Sequence, residues 1–191
     1  MTIEIKGNWD KGFAHDDHIV NSVYKGLNEF GHKDFDNTYS PMGRLVNKLK
    51  YKNDKSVIKG IVDLLGKYEG IAKFDAIIPA PSSKKNRPYQ PVDEVALELG
   101  KRMGVNVLIG FLEKKEGSKQ LKNIEVLKER IQELKKVTFI ASDKNISGQK
   151  VLLLDDLYDT GTTLRVSTDL LYKQARVSTV SVLTMTKTKD S

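Results

Sequence analysis

Apolar runs and apolar stripes alternate over most of this chain, a pattern that predicts strands separated by helices. The run Val151 to Leu154 is uninterrupted and suits a strand covered on both faces, as in a parallel sheet. Similar segments near Ala76, Val107, Val137 and Val180 predict further strands, with Val105 to Phe111 ending at Gly110. Between them, Val92, Val95, Ala96, Leu99 and Met103 recur at helical spacing within Pro91 to Gly104, a stripe that packs on a sheet. Leu121, Ile124, Leu127, Ile131 and Leu134 do the same from Gln120 to Lys136; this stretch is too short for a coiled coil and reads as an amphipathic helix. A helix from about Leu164 to Lys173 follows the Val151 strand. Another opens at Ser40-Pro41, an N-cap with proline at the first helical position, and runs to about Tyr51. The expected architecture is an α/β domain of three layers, with a mostly parallel central sheet, over residues 39–191. Residues 1–38 place Trp9, Phe13, Phe30 and Phe35 among glycines and acids, which predicts a small β appendage, a hairpin or meander over a pocket or an interface.

A chain of 191 residues is long enough for one full core, and no second domain is needed. No apolar run is long enough to span a bilayer, and Met1 to Lys6 lacks the apolar centre of a secretory signal, so a cytoplasmic protein without membrane contact is expected. There is no cysteine, which excludes disulfides and cysteine metal sites. The formal net charge is +7, with lysines dense between Lys114 and Lys136. Such a balance admits an anionic partner, nucleic acid included. Glu125, Glu129 and Glu133 interleave the same helix, however, and favour a solvated, salt-paired face.

The chemistry concentrates at Val151 to Thr163. Asp155 and Asp156 close a buried strand, at the edge of an open α/β sheet where ligands bind. Two adjacent carboxylates accept hydrogen bonds, as a vicinal diol requires. Asp159-Thr160-Gly161-Thr162-Thr163 then turns tightly into a helix, so its hydroxyls and backbone N–H groups converge on an anion. The same residues also describe an ordinary strand-to-helix turn, with solvated acids and Thr160 or Thr162 capping the helix.

A second loop, from Pro79 to Arg87, leaves a strand stiffened by Pro79 and Pro81. Its Ser82, Ser83, Lys84, Lys85 and Arg87 are the hydroxyl and cationic donors that a pyrophosphate needs; by itself it also reads as a routine exposed loop. His15-Asp16-Asp17-His18 has metal-ligand chemistry but no recognisable ligand spacing, and a polar turn is the better reading.

The run of apolar residues, two acids and Thr160-Gly161-Thr162-Thr163 resembles the signature of the type I phosphoribosyltransferases. Three further segments are similar to the branch typified by the competence protein ComF: Gly43 to Lys52, with its Leu-Lys-Tyr ending; Ile77-Ile78-Pro79-Ala80-Pro81; and Gln120-Leu121 with Glu129-Arg130. Arg87-Pro88-Tyr89-Gln90 stands where many of those relatives carry Arg-Gly-Phe-Asn, so the glycine and asparagine are lost. The four-cysteine zinc module of many such proteins has no counterpart here.

The resemblance implies a phosphoribosyltransferase-type fold, whose strand order rests on the likeness alone. It also implies that Asp155 and Asp156 hold the ribose hydroxyls of phosphoribosyl pyrophosphate (PRPP) and its Mg2+, while Thr160, Gly161, Thr162 and Thr163 wrap the 5-phosphate. Ser82, Ser83, Lys84, Lys85 and Arg87 would face the pyrophosphate, and Asp159 would be the general base towards a nitrogen acceptor. A surface Asp that helps the turn is an equal reading of Asp159. Glu113 to Lys122 is the candidate loop to close over PRPP, and Tyr158, Tyr89 or the N-terminal aromatics could wall the acceptor. The implied activity is Mg2+-dependent transfer of phosphoribose with release of pyrophosphate, in a protein that could be a homodimer. The alternative is a non-catalytic PRPP or nucleotide sensor, or a competence-related protein associated with nucleic acid.

Overall fold

The computed structural model describes residues 2–84, 87–115 and 127–189. A six-stranded sheet forms the middle layer, in the order β1-β2-β10-β9-β5-β6. Its members are β1 (Ile3–Glu4), β2 (Lys11–Asp17), β5 (Ala76–Pro79), β6 (Asn106–Val107), β9 (Lys150–Tyr158) and β10 (Thr179–Lys187). Only the β1–β2 pair is antiparallel. The two central strands are covered on both faces: Val151 to Leu154 are buried as their unbroken apolar run predicts, and so are Val180 to Met185, with the short hydroxyl side chains of Ser181 and Thr184 included.

Helices cover both faces. On one side α1 (Pro41–Tyr51), α2 (Ile58–Leu65) and α3 (Pro91–Met103) pack Met42, Leu49, Ile61, Leu65, Val95 and Leu99 against Leu152, Leu154, Leu183 and Met185. On the other, α5 (Thr162–Lys173) sets Leu164 and Leu171 against Val151, Leu153, Val180 and Val182, joined by Phe111, Leu112 and Trp9. The α4 helix (Leu127–Val137) lies outside α5.

Local signals explain the helix boundaries. Ser40 Oγ accepts the Gly43 N–H at 2.9 Å, which caps α1 ahead of Pro41. Gly104 ends α3 in the left-handed conformation, φ 68°. The approach of α1 is unusually tight, because a Cβ on Gly43 would fall inside contact distance of the His18 carbonyl oxygen.

Three expectations need correction. Residues 1–38 are not an appendage: β1 and β2 belong to the central sheet, and β2 runs parallel to β10 with Gly12 beside Val182. Only the β3–β4 hairpin (Ile19–Leu27 and Lys33–Tyr39) stands apart, exposing Val23, Tyr24, Leu27 and Phe30. The segment after Val137 is β8 (Thr138–Ile140), which pairs with β7 (Leu112–Lys114) in a separate two-stranded sheet. Finally, His15, Asp16 and Asp17 lie in β2 rather than in a turn. Among the described residues no group of three or more His, Cys, Asp or Glu is arranged to hold a metal. Within the same limits, no helix is long and apolar enough to cross a membrane.

Candidate functional site

The carboxyl ends of β9 and β5 bring the two singled-out loops to one edge of the sheet. β9 pairs with β5 up to Leu154 and Pro79, so Asp155 and Ala80 leave the ladder side by side, and the Ala80 N–H donates to Leu154 O at 2.8 Å. In an extended strand successive side chains point to opposite faces, and the two acids are accordingly met by different lysines. Lys50, in the last turn of α1, reaches Asp156 Oδ2 at 2.7 Å. Lys114, at the end of β7, acts on Asp155 from the other side.

Each group carries the mark of this setting. Burial, and then the neighbouring Asp156 charge, push the Asp155 carboxyl up to about 7, against the Asp156 N–H, Lys50 and Lys114. That N–H donates to Asp155 Oδ1 at 2.8 Å. Burial alone would lower Lys50, but the charge and hydrogen bond of Asp156 outweigh it and hold the ammonium above its ordinary value. Lys114 is pushed down by burial, with Asp155 opposing.

The turn into α5 has the geometry an anion site needs. Gly161 sits at φ 67°, and a Cβ there would lie 2.5 Å from Tyr158 Cε2. The N-cap makes no side-chain hydrogen bond to the helix, so the first-turn amides are left without that partner. Thr160 and Thr162 hydroxyls meet at 2.6 Å, and Thr163 Oγ1 accepts from Lys114 Nζ at 3.1 Å. The Lys6 to Trp9 segment buttresses this turn from behind: Lys6 O accepts from Tyr158 Oη at 3.3 Å and from the Arg165 guanidinium at 2.8 Å, and Trp9 meets Tyr158 edge to face.

The second loop is partly assembled. Ser82 Oγ accepts the Lys84 N–H at 3.2 Å and so shapes the turn, while Ser83 Oγ accepts from Lys114 Nζ at 3.3 Å. Lys84 is exposed, Arg87 is half-buried on the Tyr89 side, and Lys85 lies outside the described residues. Most of the closing loop expected at Glu113 to Lys122 is likewise outside them, as are Gln120 and Leu121.

Asp159 stands off from this cluster. It is exposed, and Thr188 Oγ1 donates to it at 3.4 Å. Neither aromatic wall is free: Tyr158 is buried against Trp9, and Tyr89 Oη donates to Leu49 O at 2.6 Å under the Lys55 ammonium.

Sequence reasoning placed Lys114 only within the expected closing loop, His18 only in an expected polar turn, and gave Lys50 no role beyond a motif letter. Thr186 uses its one hydroxyl hydrogen on Asp156 O, 2.9 Å away, so the 3.1 Å contact to His18 Nδ1 makes that nitrogen the donor. Burial and then Lys50 lower His18, against Asp156, in keeping with a neutral ring.

Magnesium fits this donor set only as a shared ion. Asp155 and Asp156 are hard oxygen ligands, but one is paired with Lys50 and, among the described residues, no third carboxylate joins them, so phosphate and water oxygens would have to fill the remaining positions.

No family model and no curated protein matches the chain. Solved structures do. Orotate phosphoribosyltransferase from Aeropyrum pernix superposes with a TM-score of 0.50 at 15% identity, over 89% of this chain and 76% of that one. Adenine phosphoribosyltransferase from Thermoanaerobacter pseudethanolicus gives 0.49 at 18% identity, over 86% and 83%. A purine phosphoribosyltransferase from Pyrococcus horikoshii gives 0.42 at 17% identity, over 69% and 80%. The Aeropyrum likeness agrees with an α/β fold built on a mostly parallel central sheet.

Proposed function

We propose that the protein binds PRPP at the carboxyl edge of β9 and β5 and transfers its phosphoribosyl group to a nitrogen acceptor, releasing pyrophosphate. One observation carries the reading: a largely buried pair of adjacent acids lies between a helix-opening Thr160 to Thr163 loop and the Ser82 to Lys84 loop, with a buried lysine joining the loops. Vicinal hydroxyls flanked by two anionic groups match that order of acceptors and donors. The orotate phosphoribosyltransferase likeness supports the fold this requires.

In this reading Asp155 and Asp156 orient the ribose through its hydroxyls, and the amides of the first turn of α5 hold the 5-phosphate. Magnesium, held by an acid together with the substrate, would neutralise pyrophosphate charge as the glycosidic bond opens. Asp159 takes the proton of the acceptor nitrogen. Cytoplasmic residence and kinship with the ComF-like branch belong to the same proposal.

The second reading, a PRPP sensor without turnover, is favoured by the acceptor side. Asp159 is exposed, and Tyr158 and Tyr89 are engaged in packing. Calorimetry with PRPP and Mg2+, followed by a panel of nucleobases and amines scored for pyrophosphate, separates the two. Micromolar binding with turnover on one acceptor is expected. Binding without turnover on any would establish the sensor, and absence of binding would overturn both.

A further inference from the structure

We propose that Lys114 is the residue that receives the pyrophosphate group of PRPP, a role that rests on the function proposed above. Strand alternation in β7 turns Leu112 and Lys114 inward, and each is only 4% exposed. An ammonium has three N–H donors. The structure gives this one two partners, both neutral hydroxyls at rather long range: Ser83 Oγ at 3.3 Å and Thr163 Oγ1 at 3.1 Å. No carboxylate lies within ion-pair distance of it among the described residues. A buried charge so weakly compensated is costly to the fold, and an anion placed against it would remove the deficit.

Position decides which anion. Ser83 lies in the loop after β5 and Thr163 in the first turn of α5, which follows β9, and the charge of Asp155 acts on the ammonium. The Thr160 to Thr163 turn has helix N-terminal amides for one phosphate. The opposite side is poorer, because Ser82 is engaged with its own loop and Lys84 is exposed. Lys114 is the buried cation that this side lacks. During transfer the C1–O bond to pyrophosphate breaks and both electrons go to the pyrophosphate oxygen, while the acceptor nitrogen forms the new bond to C1 and gives up a proton. Lys114 faces the charge that grows on the leaving oxygen.

The test is calorimetry of the full chain with inorganic pyrophosphate and, separately, ribose 5-phosphate, each with Mg2+, for wild type, Lys114→Met and Lys114→Arg. Loss of a buried charge contact predicts a drop in pyrophosphate affinity of about 30-fold or more for Lys114→Met. Ribose 5-phosphate affinity should stay within about 3-fold, and Lys114→Arg should recover most of the pyrophosphate affinity. Unchanged pyrophosphate binding in Lys114→Met, or an equal loss for both ligands, would overturn the assignment while leaving PRPP binding intact. A wild type that binds neither ligand would instead sink the proposed function. Should Lys114→Met fail to fold, side-chain ammonium NMR of wild type decides the matter: pyrophosphate must shift the Lys114 signal, assigned by its absence in Lys114→Arg, and an unmoved signal overturns the proposal.

Discussion

Lys50 Nζ lies 2.7 Å from Asp156 Oδ2, with both side chains largely out of solvent, so the end of α1 is tied to the end of β9 by an ion pair inside the candidate site. That link makes α1 part of the site as well as part of the core. Removing the ammonium leaves Asp156 without its ion-pair partner, largely out of solvent and next to Asp155. Lys50→Met should therefore destabilise the fold by about 1–3 kcal/mol, below the range for fully buried pairs because some solvent reaches this one. Urea unfolding measures it, and Lys50→Arg should keep most of the stability. A loss under about 0.5 kcal/mol would place the pair among surface contacts of no consequence.

Asp155 predicts a pH dependence of known sign. Its carboxyl is pushed up to about 7, from an ordinary 3.8, first by burial and then by Asp156. The native state thus holds this proton when the unfolded chain has released it, so stability falls as pH rises from about 4 and levels off above about 7. Asp155→Asn removes the effect. Melting temperatures of variant and wild type should agree near pH 4 and separate progressively, the variant higher, up to about pH 7. A gap independent of pH would show that Asp155 does not titrate in this window.

Much of this site was legible because it is local in sequence. Val151 to Leu154 has the unbroken apolar character of a doubly covered strand, so counting alone puts Asp155 and Asp156 just beyond it, although β9 itself runs on through both acids to Tyr158 before the glycine turn. Ser40-Pro41 fixes the start of α1 in the same way. The helix α2 was not among the expected elements, although Ile58, Ile61, Val62 and Leu65 have amphipathic spacing. Lys114 could not be read. It stands beside another lysine in a charged stretch, which describes a solvated surface, and its partners Ser83 and Thr163 are 31 and 49 residues away. The N-terminal error has a similar origin, because β2 joins the sheet by parallel pairing with β10 at the far end of the chain. Only β2's own alternation hinted at a strand, and nothing local names a partner for it.

Gly161 should tolerate no side chain. Its φ of 67° costs an ordinary residue about 1–2 kcal/mol, and the added Cβ would press on the Tyr158 ring, which Trp9 holds from behind. Gly161→Ala should lose about 2 kcal/mol or more in chemical denaturation and weaken ribose 5-phosphate binding, because the turn that aims the α5 amides must open. Wild-type stability in this variant would mean that Tyr158 yields freely.

Asp159 separates chemistry from binding. It is exposed, follows the two acids in the chain and accepts a hydrogen bond from Thr188 Oγ1. A general base positioned towards the acceptor contributes about 10²–10⁴-fold to rate, yet it makes no contact that PRPP alone would need. Asp159→Asn should therefore keep PRPP affinity within about 2-fold while turnover on the productive acceptor falls at least about 100-fold. The loss should shrink for acceptors of higher intrinsic acidity, whose nitrogen is already deprotonated at the assay pH. Undiminished turnover would leave Asp159 a turn residue, and a parallel fall in PRPP affinity would place it with the sugar instead.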